Sequence, residues 1–241
     1  MGRVCAIHQP NFLPRLSTLA KLFAADYWIV LDDVQFARRD YQHRARIAPP
    51  GRPDLAHWLS LATHLPDGRA TLIRDARLAD PRRSRDQTDR AIRHCYRRSR
   101  HWQQISTVLD RVLEGFAGSD RTGVVAENST RVLLELLGWR GEIIRSSRLP
   151  ARRERSQRLA DLAAVTGATT YLCGPGGLRY LDHRPFEAVG VRVQAFFVPA
   201  GGLWGGNHQM SSVHAFSEIA AVDMAVLLGA SGAPGRFGED R

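Results

Sequence analysis

The chain has 241 residues, 44% of them hydrophobic and 24% charged, the proportions of an ordinary globular domain rather than of a disordered or fibrous chain. No apolar run approaches the roughly 20 residues of a membrane-spanning helix, and the N-terminus lacks the basic-then-apolar pattern of a signal peptide, so a soluble cytoplasmic protein with no membrane partner is expected. The net charge is +10, carried by 34 Lys and Arg residues of which Lys21 is the sole lysine. Such an arginine bias arises from genome composition alone, or it marks an anionic partner such as a nucleotide, an acyl carrier or RNA. Three cysteines (Cys5, Cys95 and Cys173) have no ligand-like spacing, which argues against a disulfide framework or a structural metal. No metal and no cofactor is expected.

In chain order, Val4 to Ile7 is an apolar strand that delivers His8, Gln9 and Asn11 into a turn bounded by Pro10 and Pro14. A helix follows over Leu16 to Ala25, then a strand over Tyr27 to Leu31 that ends in Asp32, Asp33 and Gln35. His57 to Ala62 and Ala70 to Leu78 read as two strands joined by Pro66-Asp67-Gly68. Asp80-Pro81 reads as a helix N-cap and first helical residue, opening a helical stretch to about Ala117, with a further helix from about Gly123 to Leu137 stopped by Gly138. Strand and helix alternate again: strand Glu142 to Arg145, helix Arg155 to Thr166, strand Thr169 to Cys173, strand Val191 to Val198, and a closing helix Ala215 to Leu228. The Gly- and Ala-rich tail is expected to fray from about residue 231.

Two βαβ-like halves separated by helices predict an α/β fold: one three-layer domain over residues 1–230, with a mostly parallel, Rossmann-like sheet and an all-helical insertion at about 81–138. In such sheets ligands bind beyond the carboxyl ends of the strands. That rule selects His8, a group able to move protons near neutral pH. It also selects Asp33 with Gln35, on the argument that Asp32 and Asp33 alternate across a continuing strand. A third constellation is Cys173 with Gly174-Pro175-Gly176-Gly177, followed by Tyr180 and Asp182. It reads either as a nucleophile beside backbone N–H donors for an oxyanion or as a small buried residue at a strand end. The helix bearing Arg83, Arg90 and Arg97 on one face is a solvated surface or a contact for a polyanion. The loop from Pro199 to Ser212, with His208 and Gln209, is a candidate lid or recognition element.

The opening segment resembles the WbqC-like family. The motif residues are His8, Gln9, Pro10, Phe12, Leu13 and Pro14, then Ala25-Asp26, then Asp32-Asp33-Val34-Gln35-Phe36. Ser146-Ser147, Arg158-Leu159, Gly167-Ala168 and Tyr171-Leu172 continue the likeness. Arg15 stands where the family usually has Trp, Cys173 where it has Ser, and Tyr41-Gln42-His43-Arg44 replaces Trp-x-Asn-Arg. The resemblance implies a tailoring enzyme of surface-polysaccharide or natural-product biosynthesis. The mechanism expected from it is acyl or aminoacyl transfer onto an amine or hydroxyl of a small-molecule or sugar acceptor. An acyl carrier protein or an aminoacyl-tRNA would be the donor. His8 is then the general base, Asp33 orients it or binds the acceptor, Cys173 is a candidate nucleophile, and Arg44 is the anchor of an anionic group. Gln9, Asn11, Gln35, Ser146, Ser147, Gly174, Gly176, Tyr180, Asp182, His208 and Gln209 are candidate substrate contacts. Two alternatives remain: a Rossmann-like nucleotidyltransferase, from which a second His in a His-x-Gly-His pattern is missing, and a non-catalytic binder of a nucleotide-sugar, carrier or tRNA.

Overall fold

The computed structural model describes residues 2–199, 201–204 and 209–231. Its centre is a five-stranded parallel sheet of β1 (Arg3–His8), β2 (Tyr27–Val30), β7 (Glu142–Arg145), β8 (Ala168–Cys173) and β9 (Arg192–Ala195), in the order β7-β2-β1-β8-β9. The chain builds outward from β1 through β2 to β7, then returns to the other side of β1 with β8 and β9. The direction of winding therefore reverses between β1 and β8, the place where open α/β sheets form a ligand crevice.

Strand periodicity separates two cores. Ala6, Trp28, Val30 and Leu172 face one side, where they join α1 (Leu16–Phe23), α2 (Pro81–Tyr96), α3 (Trp102–Gly118), α4 (Thr122–Leu136), α8 (Ser212–Glu218) and α9 (Ala221–Ser231). Cys5, Ile7, Tyr27, Ile29, Tyr171 and Cys173 face the other, against α5 (Arg155–Val165) and α7 (Arg184–Ala188). The result is a three-layer α/β arrangement. The helices between residues 81 and 136 pack into the same cluster as α1 and the sheet. Arg83, Arg90 and Arg97 are exposed on or just after α2. No single described helix is long and apolar enough to cross a membrane.

Several elements differ from the expectation. Between β2 and α2 lie two short antiparallel pairs, β3 (Arg44–Ile47) with β4 (His57–Ser60) and β5 (Thr63–His64) with β6 (Arg77–Leu78). The stretch read as a strand over Ala70 to Leu78 is strand only at Arg77–Leu78, with the end of one 3-10 turn at Ala70 and another over Ile73–Asp75. Its backbone is engaged elsewhere: Ile73 N–H donates to Val34 C=O at 2.9 Å, Arg74 N–H to Asp32 C=O at 2.8 Å, and Phe36 N–H to Thr71 C=O at 2.9 Å. The stretch beyond Pro81 breaks into α2 and α3, and the closing helix splits at Ile219, whose backbone is extended. The helix marks hold: Asp80 caps α2 by accepting from Arg83 N–H, and Gly138 beyond α4 has φ +78°.

The turn after β1 is clamped from two sides. Leu13 has φ +44°, a strained conformation for a branched residue. Its N–H donates to Ser129 Oγ at 2.9 Å, and Thr130 Oγ1 donates to Asn11 C=O at 2.8 Å, both from α4. Phe12 N–H donates to Tyr41 C=O at 2.9 Å. These contacts hold the strained turn in place. Thr130→Val is expected to lower the unfolding free energy by about 1–3 kcal/mol, because a buried carbonyl loses its best donor. An unchanged urea midpoint would show that α4 does not hold the turn.

Candidate active site

The C-terminal ends of β1, β2 and β8 open on one edge of the sheet, and a cleft of about 560 Å³ lies there. Its floor is formed by Ile7, His8, Leu31 and Tyr171 from the strand ends. Gln9, Asn11 and Arg15 come from the clamped turn, and Val34 and Asp40 from the loop after β2. The remaining wall is Arg153 with Arg155, Arg158 and Leu159 of α5.

Positive charge dominates this cleft. Four guanidiniums line it, against Asp40 and the nearby Asp33, whose carboxylate pairs with Arg158 Nη2 at 2.5 Å. Three of the four sit at or just before the N-terminal turn of α5, where Glu154 at the N-cap is the single acid and the first turn itself has none. The helix dipole already makes that end positive, so cations there are disfavoured unless an anion joins them. Arg15 lies over the Tyr41 ring at 4.5 Å. The Nε groups of both Arg15 and Arg158 are buried without a hydrogen-bond partner among the described residues.

His8 is half-buried at the end of β1. Its Nδ1 lies 3.2 Å from Lys21 Nζ and its Nε2 lies 3.2 Å from Asn11 Nδ2. Burial, then the charges of Lys21 and Arg15, hold the imidazole well below its ordinary pKa, so the ring is neutral at pH 7. Burial likewise brings Lys21 down from 10.5 to about 8.

Other sequence candidates are arranged differently. Strand β2 ends at Val30, so Asp32 and Asp33 do not alternate across a strand. Both carboxylates reach Ser146 Oγ, and Asp32 also accepts from Ser147 N–H at 3.0 Å and Ser147 Oγ at 2.7 Å. Asp32, Ser146 and Ser147 thus tie the end of β2 to the turn after β7, while Asp33 steadies Arg158. Gln35 is exposed and its amide donates to Arg69 C=O, away from the cleft. Arg44 stacks on Trp58 at 4.2 Å and its Nε donates to Asp40 C=O at 3.1 Å, so it braces the loop that carries Asp40. Gln9 accepts from Gln42 Nε2 at 2.6 Å.

Cys173 shares the sheet edge with His8 but faces the α5 side, whereas His8 follows Ala6 toward α1. It is 1% exposed and burial pushes its thiol up. The segment expected as an open glycine loop is a single helical turn, α6 (Pro175–Leu178), in which the N–H groups of Gly177 and Leu178 both donate to Gly174 C=O. Gly176 is exposed, and a Cβ at Gly177 would meet Cys173 Sγ at 2.7 Å, so glycine there lets the turn close over the thiol. Tyr180 is exposed beneath the Arg155 guanidinium, and Asp182 pairs with Arg184. Gln209 accepts from Arg46 at 2.7 Å, and His208 lies outside the described residues.

Lys21, Arg153 and Arg155 were not singled out as site residues from sequence. The signal for Lys21 was its uniqueness among 34 basic residues. The signal for the arginines was basic charge crowding the start of a helix, where acids are favoured.

The family comparison bears on residues 9–200, which match the model of the WbqC-like protein family. The chain belongs to the WbqC-like family. It is also 24% identical to the uncharacterized protein Rv1507c of Mycobacterium tuberculosis over 220 residues, covering 86% of this chain and 90% of that protein. No solved structure matches.

The surroundings of Cys173 carry a direct test. Iodoacetamide is expected to modify it no faster than buried Cys5 and Cys95 in the folded protein, and rapidly in urea. Fast modification of Cys173 in the native state would place a reactive thiolate at the end of β8.

Proposed function

We propose that this WbqC-like protein is a group-transfer enzyme whose arginine cleft holds the anionic part of a substrate while His8 moves a proton at the acceptor. The observation that carries the reading is the pair of buried, unpartnered Nε groups on Arg15 and Arg158, in a cleft that also holds Arg153 and Arg155. An N–H buried without a partner costs about 1–3 kcal/mol. A phosphate or carboxylate bound between these side chains removes that penalty and offsets the charge at the start of α5. A neutral His8 at the same opening is the form of imidazole that accepts a proton.

The chemistry that fits best is acyl or aminoacyl transfer in the tailoring of a surface sugar or natural product. The acceptor N–H or O–H gives its proton to His8 as its heteroatom bonds to the acyl carbon. The bond from that carbon to the donor sulfur or oxygen breaks, and the proton returns to the leaving atom. Cys173 is left out of this scheme because it is packed beneath α6, and Asp33 acts by orienting Arg158.

A nucleotidyltransferase is the second reading. It is favoured by the same arginine cleft beside a switch point between β1 and β8. ATP raising the melting temperature while an aminoacyl-tRNA or acyl carrier protein has no effect would select it.

Isothermal titration with inorganic pyrophosphate tests the anion site. Arg15→Gln and Arg158→Gln are each expected to weaken binding at least tenfold and to flatten its salt dependence. Equal affinity in wild type and both variants would remove the cleft from the account. In an acyl-transfer assay His8→Ala is expected to lose roughly 10²–10⁴-fold in rate while remaining folded. Full activity in that variant would overturn the role of His8.

A further inference from the structure

Every basic side chain but one in this protein is arginine or histidine; the exception is Lys21. Arginine does not release its proton at accessible pH, whereas a lysine amine does. The single amine is placed on α1, 7% exposed, with Nζ 3.2 Å from His8 Nδ1 and 3.5 Å from Ile7 C=O. His8 of β1 faces it directly, and the other charged or titratable groups close enough to act on it are Arg15 of the preceding turn and, across the sheet, Cys5 and Cys173. None of these is a carboxylate. A buried ammonium without a carboxylate partner is costly, so the site favours a group that exists as a neutral amine part of the time.

We propose that Lys21 and His8 form a two-member relay in which the Lys21 amine, rather than the imidazole, stores the proton taken from the acceptor. The inference rests on the group-transfer reading and deepens it. In the proton-accepting form, populated as pH rises through the Lys21 midpoint, the neutral amine accepts a hydrogen bond from Nδ1–H, and the Nε2 lone pair faces Asn11 and the cleft. Nε2 then takes the acceptor's proton while Nδ1 passes its own to Nζ. The relay now holds an ammonium donating to Nδ1, with Nε2–H poised toward the leaving atom. When Nε2 protonates that atom, Nζ returns a proton to Nδ1 and the pair is reset. No imidazolium forms at any point, and burial beside Arg15 disfavours that ion. The relay explains how a histidine of weakened basicity acts as a base: the proton rests on a group that titrates near 8.

The sole lysine makes the experiment direct. Protein labelled with 13C at the lysine Cε gives one signal, and its titration reads Lys21. Labelling histidine with 15N reads the tautomer of His8, identified by the resonances lost in His8→Gln. The expected midpoint for Lys21 is about 8 rather than 10.5. Across that midpoint His8 is expected to change from Nε2–H below to Nδ1–H above. Lys21→Arg, which retains the charge without releasing it, is expected to hold Nε2–H from pH 6 to 10. Lys21→Met covers the case in which arginine does not fit, and there the tautomer change near pH 8 should vanish. A lysine midpoint at its ordinary value, or a His8 tautomer indifferent to it, would overturn the relay. Pyrophosphate binding separates the two proposals: its loss in wild type counts against the anion cleft, whereas the titration alone decides the Lys21–His8 coupling.

Discussion

An excess of positive charge at the carboxyl edge of the sheet is the constraint around which the rest of this molecule is arranged. Arg15, Arg153, Arg155 and Arg158 meet over a floor of strand ends, with Lys21 buried near His8 below. Like charges at such distances repel, and the dipole of α5 adds to the repulsion rather than relieving it. The acids that approach are few. Asp33 is taken up by Arg158, and Asp32 is spent on Ser146 and Ser147. Burial first, and the charge of Arg15 in addition, keeps His8 neutral and pushes Lys21 toward its amine form.

Holding such a cluster requires a rigid frame. Parallel β1 sits in the middle of the sheet, hydrogen-bonded to β2 on one side and β8 on the other. His8 is therefore fixed at a strand end rather than on a free loop. The turn beyond it carries strain at Leu13 and is pinned by Ser129 and Thr130 of α4 and by Tyr41. The loop after β2 is braced in turn by Arg44 on Trp58 and by the 3-10 turns near Ile73. The excursion between β2 and α2 thus supports one wall of the cleft.

Much of this was legible in the sequence where the local pattern and the tertiary contacts agree. Apolar runs at 4–7, 27–31 and 169–173 are strands because they are buried on both faces, and periodicity finds such elements with ease. His8 was found because a polar residue closes such a run. The failures have physical causes. Arg44–Ile47 alternates half-buried arginines with buried Ala45 and Ile47, yet its charge hid the strand. Residues 70–78 have the apolar content of a strand, but Thr71, Ile73 and Arg74 bond through their backbones to the loop at 32–36, and the pairing is confined to Arg77–Leu78 with β5. Asp33 and Gln35 were assigned one face on the premise that β2 continues, and it stops at Val30. Cys173 was open to two readings, nucleophile or buried strand-end residue, because residue type and glycine neighbours are visible in sequence whereas the facing of a strand end is not.

The most direct measurement is of the two arginine Nε–H groups themselves. In 15N-arginine-labelled protein, the Nε–H resonances of Arg15 and Arg158, assigned by substitution, should shift and saturate together as pyrophosphate is added, with slowed solvent exchange. Those of Arg83 and Arg90 on α2 should stay in place. Shifts confined to α2, with Arg15 and Arg158 unmoved, would contradict the claim that this cleft is built to hold an anion beside His8.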